Sequence, residues 1–147
     1  MAVEINIKKL RDDAIIPTYG SDYAAGADLY ACLDEDLTIN PHETVFVGTG
    51  IAVEIPEGYA GLIYARSGLS CKRDLAPANK VGVVDADYRG EVTVALHNHG
   101  SEPQTIDKNE RVAQMVIAPF LAASFNEVDE LSDTVRGAGG FGSTGTK

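Results

Sequence analysis

The segment Glu91-Val92-Thr93-Val94-Ala95-Leu96-His97 alternates large apolar residues with small or polar ones. Val92, Val94 and Leu96 share one face of an extended chain, because successive side chains of a strand point to opposite sides. The segment therefore predicts a half-buried β-strand.

Similar short apolar stretches recur along the chain and are separated by turn chemistry rich in Gly, Pro, Asn and Asp. The further predicted strands are 4–10, 27–31, 44–47, 51–55, 61–65, 81–84 and 111–117, and the predicted turns are 40–41, 56–58, 98–100 and 107–109. Short strands at this spacing indicate an all-β fold, a jelly-roll-like β-barrel or sandwich.

Length and charge restrict the class of protein. The chain has 147 residues, of which 44% are hydrophobic, and this suits one domain with a buried core. The formal net charge of -10 argues against binding to nucleic acid, which needs clustered cations. No apolar run is long enough to span a membrane and no secretory signal is visible. Cys32 and Cys71 are too few and too far apart in sequence for a disulfide scaffold. We therefore expect reduced thiols in a cytoplasmic protein, and a nuclear or organellar form stays open.

The end of the chain, Arg136-Gly-Ala-Gly-Gly-Phe-Gly-Ser-Thr-Gly-Thr-Lys147, has no apolar periodicity. It is either a flexible terminus or a phosphate-binding arm, in which glycines let backbone N–H groups converge on an anion. Phe141 favours the second interpretation, because a nucleobase offers an aromatic ring a flat surface for stacking. We predict a β domain over residues 1–133 and a flexible, Gly-rich C-terminal arm over 134–147.

Ala65-Arg66-Ser67-Gly68 follows a predicted strand. Ser67 could cap a short helix through Gly68 to Arg73. The same free N–H groups, with a hydroxyl and an adjacent Arg, also suit a phosphate.

Gly82-Val83-Val84-Asp85-Ala86-Asp87-Tyr88-Arg89-Gly90 runs from a strand into an acidic turn. A plain hairpin explains Asp87 and Gly90. Asp85, beside the strand end, could instead orient and deprotonate a water molecule. Tyr88 is either a half-buried hairpin residue or a flat wall for a sugar ring.

Two polar residues lie within apolar strands. Asp28 is either a solvated strand residue or a holder of metal-bound water. Gln114 shares a strand face with Val112 and Val116, so a buried amide would need the neighbouring backbone, a phosphate or a base as its partner.

Together and in this order, these segments resemble the five motifs of the trimeric dUTPase family. The matching segments are 24–29, 65–69, Asn79 with 82–90, 111–114 and 136–145. Asn109 stands where many members have Gly, and Asn tolerates the left-handed conformation that such a turn requires.

The resemblance implies a jelly roll that forms a homotrimer with three shared active sites, and Mg²⁺-dependent hydrolysis of dUTP to dUMP and pyrophosphate. Asp85 would activate the water that attacks the α-phosphorus, and Asp28 would contact Mg²⁺ through water. The substrate would be bound by residues of the other four motifs. They are Arg66, Ser67, Gly68 and Gln114 at the phosphates, Asn79, Gly82, Val83 and Val84 at uracil, Tyr88 at the deoxyribose, and Arg136, Phe141, Gly142, Ser143 and Thr144 in the arm.

Three alternatives stay open at this stage. A dCTP deaminase would share the jelly roll and the Arg-Ser motif but would need a catalytic Glu. A non-catalytic nucleotide-binding protein could keep the fold, although the acidic and arm residues argue against lost catalysis. A capsid-like structural jelly roll explains the strands and none of the motifs.

Overall fold

The computed structural model describes residues 3–145, so residues 146 and 147 of the predicted arm lie outside the described residues. Within that range the chain forms twelve strands and one short helix. The strands are β1 Asn6–Lys9, β2 Thr18–Tyr19, β3 Ala27–Tyr30, β4 Leu37–Ile39, β5 Thr44–Gly48, β6 Ile51–Glu54, β7 Tyr59–Tyr64, β8 Leu75–Pro77, β9 Gly82–Val84, β10 Thr93–Asn98, β11 Gln104–Ile106 and β12 Arg111–Pro119, and the helix α1 is Ser67–Lys72.

The alternation predicted around β10 is confirmed. Val92, Val94 and Leu96 are at most 1% exposed, whereas Thr93 is exposed and Ala95 and His97 are half-buried. Glu91 and Val92 precede the strand instead of beginning it.

Strands far apart in sequence pair in a nested order. β3 pairs with β12, β4 with β11 and β5 with β10, all antiparallel. Such nesting is one long antiparallel ribbon rolled upon itself, which is the arrangement of a jelly roll. The predicted all-β, jelly-roll-like fold is therefore confirmed.

A five-stranded sheet with the order β2-β3-β12-β7-β9 carries most of the predicted site residues. A second sheet has the order β5-β10-β8, and β1 pairs with β6. The interior between them is apolar. Its fully buried members include Leu29, Val47, Ile51, Leu75, Leu96 and Val112.

The predicted short helix exists, but Ser67 does not cap it. Arg66 occupies the N-cap position with an extended backbone and makes no side-chain cap hydrogen bond, and Ser67 is the first helical residue. Arg73 is the C-cap residue and lies outside the helix that was expected to include it.

The chain beyond β12 forms neither strand nor helix up to residue 145, and most of its side chains are exposed. Several are large and apolar. They are Phe120, Leu121, Phe125, Val128, Leu131, Val135 and Phe141. Between residues 3 and 145 no helix is long and apolar enough to cross a membrane.

Candidate active site

Asp28 on β3 lies between two arginines. It is 7% exposed, which overturns the interpretation of Asp28 as a solvated strand residue. Its Oδ1 accepts a hydrogen bond from Arg66 Nε at 2.8 Å and its Oδ2 accepts one from Arg111 Nη1 at 3.2 Å. Two cations around one carboxylate leave a net positive charge, which suits a polyphosphate.

A β-bulge brings Arg111 and Gln114 to the same cleft. In an unbroken strand, residues three apart point to opposite faces. The register of β12 against β3 shifts between Arg111 and Ala113, and one extra residue reverses the alternation. Arg111 and Gln114 both line the cleft. Val112 joins the core, so the prediction that it shares a face with Gln114 was wrong.

Gln114 fixes the chain that leads into α1. Its Nε2 donates to the carbonyl oxygen of Ala65 at 2.9 Å, so this half of the amide has a backbone partner. Its Oε1 lies against Gly26, where an added Cβ would be only 2.5 Å away. A side chain at position 26 would therefore displace the amide.

Ser67 and Gly68 line the same cleft, whose volume is about 240 Å³. Both residues are exposed in the first turn of α1. The N–H groups of a first helical turn have no helical acceptor, and the side chain of the N-cap residue Arg66 makes no cap hydrogen bond to them. These donors, together with Arg66, are placed for an anion. The volume is below the range of about 300 to 1,000 Å³ that is usual for ligand pockets, so one cleft suits only part of a nucleotide.

The second group of predicted residues lies on the edge strand β9 and the turn after it. The Asn79 side chain lies against Gly82, and Val83 is exposed while Val84 is buried. Asp85 is exposed at the strand end, and its carbonyl accepts a hydrogen bond from Tyr88 N at 3.1 Å. Tyr88 is 45% exposed and is free to contact a ligand.

Within one chain Asp85 lies at the opposite end of β7 from the Asp28 cleft, whereas Gly82, at the other end of β9, pairs with Ile63 on the cleft side. Val84 pairs with Gly61 near the beginning of β7, so Asp85 lies beside that end. Arg66 follows the other end and is itself extended. At about 3.3 Å per extended residue, the main chain at Asp85 and at Arg66 is roughly 20 Å apart. One phosphate group cannot contact both.

The third group, in the C-terminal segment, makes few contacts with the rest of the described chain. Arg136 Nε donates to Gly139 O at 2.8 Å. Phe141, Gly142, Ser143 and Thr144 are all exposed. In one chain, none of these five residues lies in the cleft around Asp28.

Arg111 and Gly26 are the site residues that sequence reasoning missed. Both lie inside segments that had been singled out, but neither had been given a role. The pairing of Arg111 with Asp28 depends on a bulge, and the fit of Gly26 to Gln114 depends on a contact between β12 and the residue just before β3. Only the assembled sheet shows either.

Comparisons with known proteins agree on one family. The dUTPase family profile matches residues 12–145. A deoxyuridine 5'-triphosphate nucleotidohydrolase of Nautilia profundicola is 51% identical over 143 residues, which cover 97% of this chain and 99% of that protein. The structure of the Staphylococcus bacteriophage 80alpha dUTPase with dUPNHPP superposes with a TM-score of 0.90 at 29% identity, covering 99% and 100% of the two chains.

A further solved structure is a mutant dUTPase from phage phi11 of S. aureus, described as revealing the coordination of a structural Mg(II) ion. It has a TM-score of 0.79 at 25% identity and covers 87% of this chain and 98% of its own. The matched segment of this chain includes Asp28 with its two arginine partners, the turn after β9 and the Gly-rich end of the chain. This chain therefore belongs to the dUTPase family of nucleotide hydrolases.

Proposed function

We propose that this chain hydrolyses dUTP to dUMP and pyrophosphate in a Mg²⁺-dependent reaction, at sites shared between the subunits of a homotrimer. The observation that carries the proposal is the separation of two complementary groups. A cationic cleft with a buried Asp28 lies at one end of β7, and an exposed carboxylate beside a backbone edge lies at the other. The cleft of one subunit facing the β9 turn of the next completes a nucleotide site.

The phosphates bind in the cleft. Arg66 uses Nε toward Asp28 and Nη1 toward Arg111 O, and a guanidinium has five N–H donors in all. The remaining donors, the Ser67 hydroxyl and the first N–H groups of α1 converge on the phosphate oxygens. Gln114 acts here chiefly by fixing the Ala65 carbonyl and with it the approach to Ser67.

The base binds along β9. Edge strands present unpaired backbone donors and acceptors, and Gly82, Val83 and Val84 offer these to uracil, with the Asn79 amide beside Gly82. A hydrogen-bonding pocket rejects the wrong base strongly, because the wrong base leaves buried groups without partners. Tyr88 packs against the deoxyribose, where a 2′-hydroxyl would clash.

The residues present fit a magnesium ion held mainly by the substrate. Among residues 3–145, no three His, Cys, Asp or Glu side chains lie close enough to hold a metal ion by themselves. Mg²⁺ is commonly bound through one or two carboxylates, several waters and substrate phosphates. Both oxygens of Asp28 already accept hydrogen bonds, so contact through water suits it better than direct ligation. When bound, the ion offsets negative charge on the phosphate oxygens.

Asp85 performs the proton transfer. Its carboxylate orients a water molecule toward the α-phosphorus and accepts its proton as the water attacks in line. Pyrophosphate leaves on the opposite side. Arg66 and the helix N–H groups stabilise the charge that develops on the oxygens.

The arm, residues 134–147, closes over the filled site. Phe141 stacks on uracil, Arg136 reaches the γ-phosphate, and Gly142, Ser143 and Thr144 add backbone and hydroxyl donors. Closure excludes bulk water and fixes the attack geometry. The exposure of Phe141 and Arg136 in the single chain supports this role, because neither is committed to its own core.

The test is a substrate panel. The pure protein is mixed in turn with dUTP, dCTP, dTTP and UTP, with and without Mg²⁺, and pyrophosphate and ammonia are measured. Pyrophosphate from dUTP alone, and only with Mg²⁺, is the expected result. Ammonia from dCTP would assign the chain to deaminase chemistry, and no product from any nucleotide would leave only a binding role.

A further inference from the structure

The Tyr88 ring lies directly on the backbone of Gly90. A Cβ built on Gly90 would come within 2.5 Å of Tyr88 Oη, 2.6 Å of Cζ and 2.9 Å of Cε2. Real Cβ atoms do not make contacts this short, so the ring can occupy this place only while residue 90 has no side chain.

The Tyr88 hydroxyl is fixed by a residue three positions further along the chain. It donates a hydrogen bond to the carbonyl oxygen of Glu91 at 2.9 Å. Glu91 is itself anchored, because its Oε1 accepts a hydrogen bond from Gly50 N at 2.8 Å and its carboxylate lies against Gly48. The turn between β5 and β6 thus holds Glu91, and Glu91 holds the end of the Tyr88 ring.

We propose that Gly90 is a specificity-determining residue, which positions Tyr88 so that the enzyme rejects nucleotides with a 2′-hydroxyl. The proposal rests on the proposed function, in which Tyr88 packs against the sugar. Gly90 touches no substrate. Its missing side chain lets the ring lie flat between the turn and the sugar, and the Glu91 carbonyl keeps it there.

The ring is the partner that would move. Gly90 is followed closely by Val92, which is buried and whose N–H donates to Ile51 O at 2.8 Å, so this backbone is held by β6. Tyr88 is 45% exposed. A methyl group at position 90 would push the Tyr88 ring outward and break its hydrogen bond to Glu91. The ring would then be mobile, and the sugar site would accept the 2′-hydroxyl of a ribose.

The experiment compares Gly90→Ala with the wild-type protein. kcat and KM are measured for dUTP and UTP, with dCTP and dTTP as controls for base selection. We expect the ratio of kcat/KM for dUTP over UTP to fall about tenfold or more, since a lost hydrogen bond together with a displaced packing surface is worth about that factor. Rejection of dCTP and dTTP should be unchanged, because β9 itself is not altered.

A double-mutant cycle separates action through Tyr88 from a general effect on the turn. Tyr88→Ala alone should lower the same ratio, and adding Gly90→Ala to it should change the ratio little further. An undiminished effect of Gly90→Ala in the Tyr88→Ala background would overturn the proposal, as would an unchanged ratio in the single variant.

Further measurements separate a failure of the Gly90 proposal from a failure of the proposed function. Tyr88→Phe removes only the hydroxyl, so it tests the Glu91 contact even if Gly90→Ala fails to fold, and an unchanged ratio in Tyr88→Phe would then sink the proposal. If the Tyr88→Ala variant discriminates against UTP as well as the wild type does, Tyr88 does not exclude the 2′-hydroxyl, and the proposal for Gly90 fails with it. If the wild type does not hydrolyse dUTP, the proposed function itself fails.

Discussion

At the scale of single residues, the cleft contains a carboxylate, that of Asp28, which is largely removed from water. Two guanidinium groups donate hydrogen bonds to the mostly buried Asp28 carboxylate, and these contacts hold Arg66 and Arg111 in fixed places. In the proposed reaction the same three side chains serve stability and phosphate binding together.

Removing one of these partners should be costly. For Arg111→Met we expect the free energy of unfolding to fall by about 1–3 kcal/mol, the usual cost of a lost hydrogen bond to a charged, mostly buried group. Urea unfolding at a single fixed protein concentration measures it. The control is Arg89→Met, which removes an ion pair with Glu54 whose side chains are 54% and 53% exposed, together with exposed hydrogen bonds to the carbonyl oxygens of Ala86 and Tyr88. Because all these contacts are exposed to water, their loss should cost about 1 kcal/mol or less. Equal losses in the two variants would mean that the contact of Arg111 with Asp28 contributes no more to stability than exposed contacts do.

Asp85 should be needed for turnover and not for binding. Asp85→Asn keeps the size of the side chain and removes the base, so we expect dUTP affinity near that of the wild type and a loss of turnover on the order of 10²-fold or more. Equilibrium binding and single-turnover assays separate the two quantities. Asp87→Asn, in the same exposed turn, is the control and should stay close to wild type. A near-normal single-turnover rate in Asp85→Asn would remove Asp85 from this role.

At the scale of elements, the long strands follow from sequence, and of the shortest ones only β9, predicted over 81–84, does so. β3, β5, β6, β7, β10 and β12 have four or more residues with clear apolar faces, and these were predicted within a few residues. β2, β4, β8 and β11 have two or three residues each. They pair with β3, β11, β10 and β4, so their structure comes from partners mostly distant in sequence and not from a local pattern.

The same limit applies to the site. Glycine-rich and Arg-Ser segments are visible as local motifs, and Asn109 does adopt the left-handed conformation expected of it, with φ of 63°. The bulge in β12, the Gly26 contact with Gln114 and the pairing of Asp28 with Arg111 are properties of the assembled sheet. No local pattern in β12 distinguishes a bulged strand from a regular one.

The C-terminal segment should be dispensable for folding and necessary for catalysis. Between residues 136 and 145 only Gly139 and Gly140 are even half-buried, so removal of 136–147 takes little apolar area from the core. We expect the melting temperature to change by only a few degrees and turnover to fall on the order of 10²-fold or more, because the reacting groups lose their enclosure. Differential scanning fluorimetry measures the melting temperature, and the pyrophosphate assay measures turnover. A large fall in melting temperature would show that the segment is structural.

At the scale of the whole molecule, the single chain leaves large apolar side chains exposed to solvent. Phe120, Leu121, Phe125 and Leu131 are large apolar residues that stay half or more exposed among residues 3–145, and runs of exposed apolar residues mark interfaces. A homotrimer would explain them, so we expect light scattering to give about three times the 15.6 kDa of one chain. A fully active monomer would contradict the shared-site proposal.

Shared sites make a stronger prediction than mass alone. Asp85→Asn and Arg66→Ala subunits should each form nearly inactive trimers, since one lacks the base and the other lacks the phosphate ligand. If Asp85 and Arg66 of one site come from different subunits, coexpressed mixed trimers contain sites in which both residues are wild type. Random assembly at equal amounts gives about a quarter of sites intact, and so about a quarter of wild-type turnover.

The control for this complementation mixes the two variants after each has assembled separately, where activity should stay low until subunits exchange. If both residues of a site came from one chain, no arrangement of the two variants could restore them together, and coexpression would yield only the residual activity of its parents. The roughly 20 Å between the two main-chain positions within one chain is the reason to expect rescue. Mixed trimers as inactive as either parent would place the whole site within a single subunit.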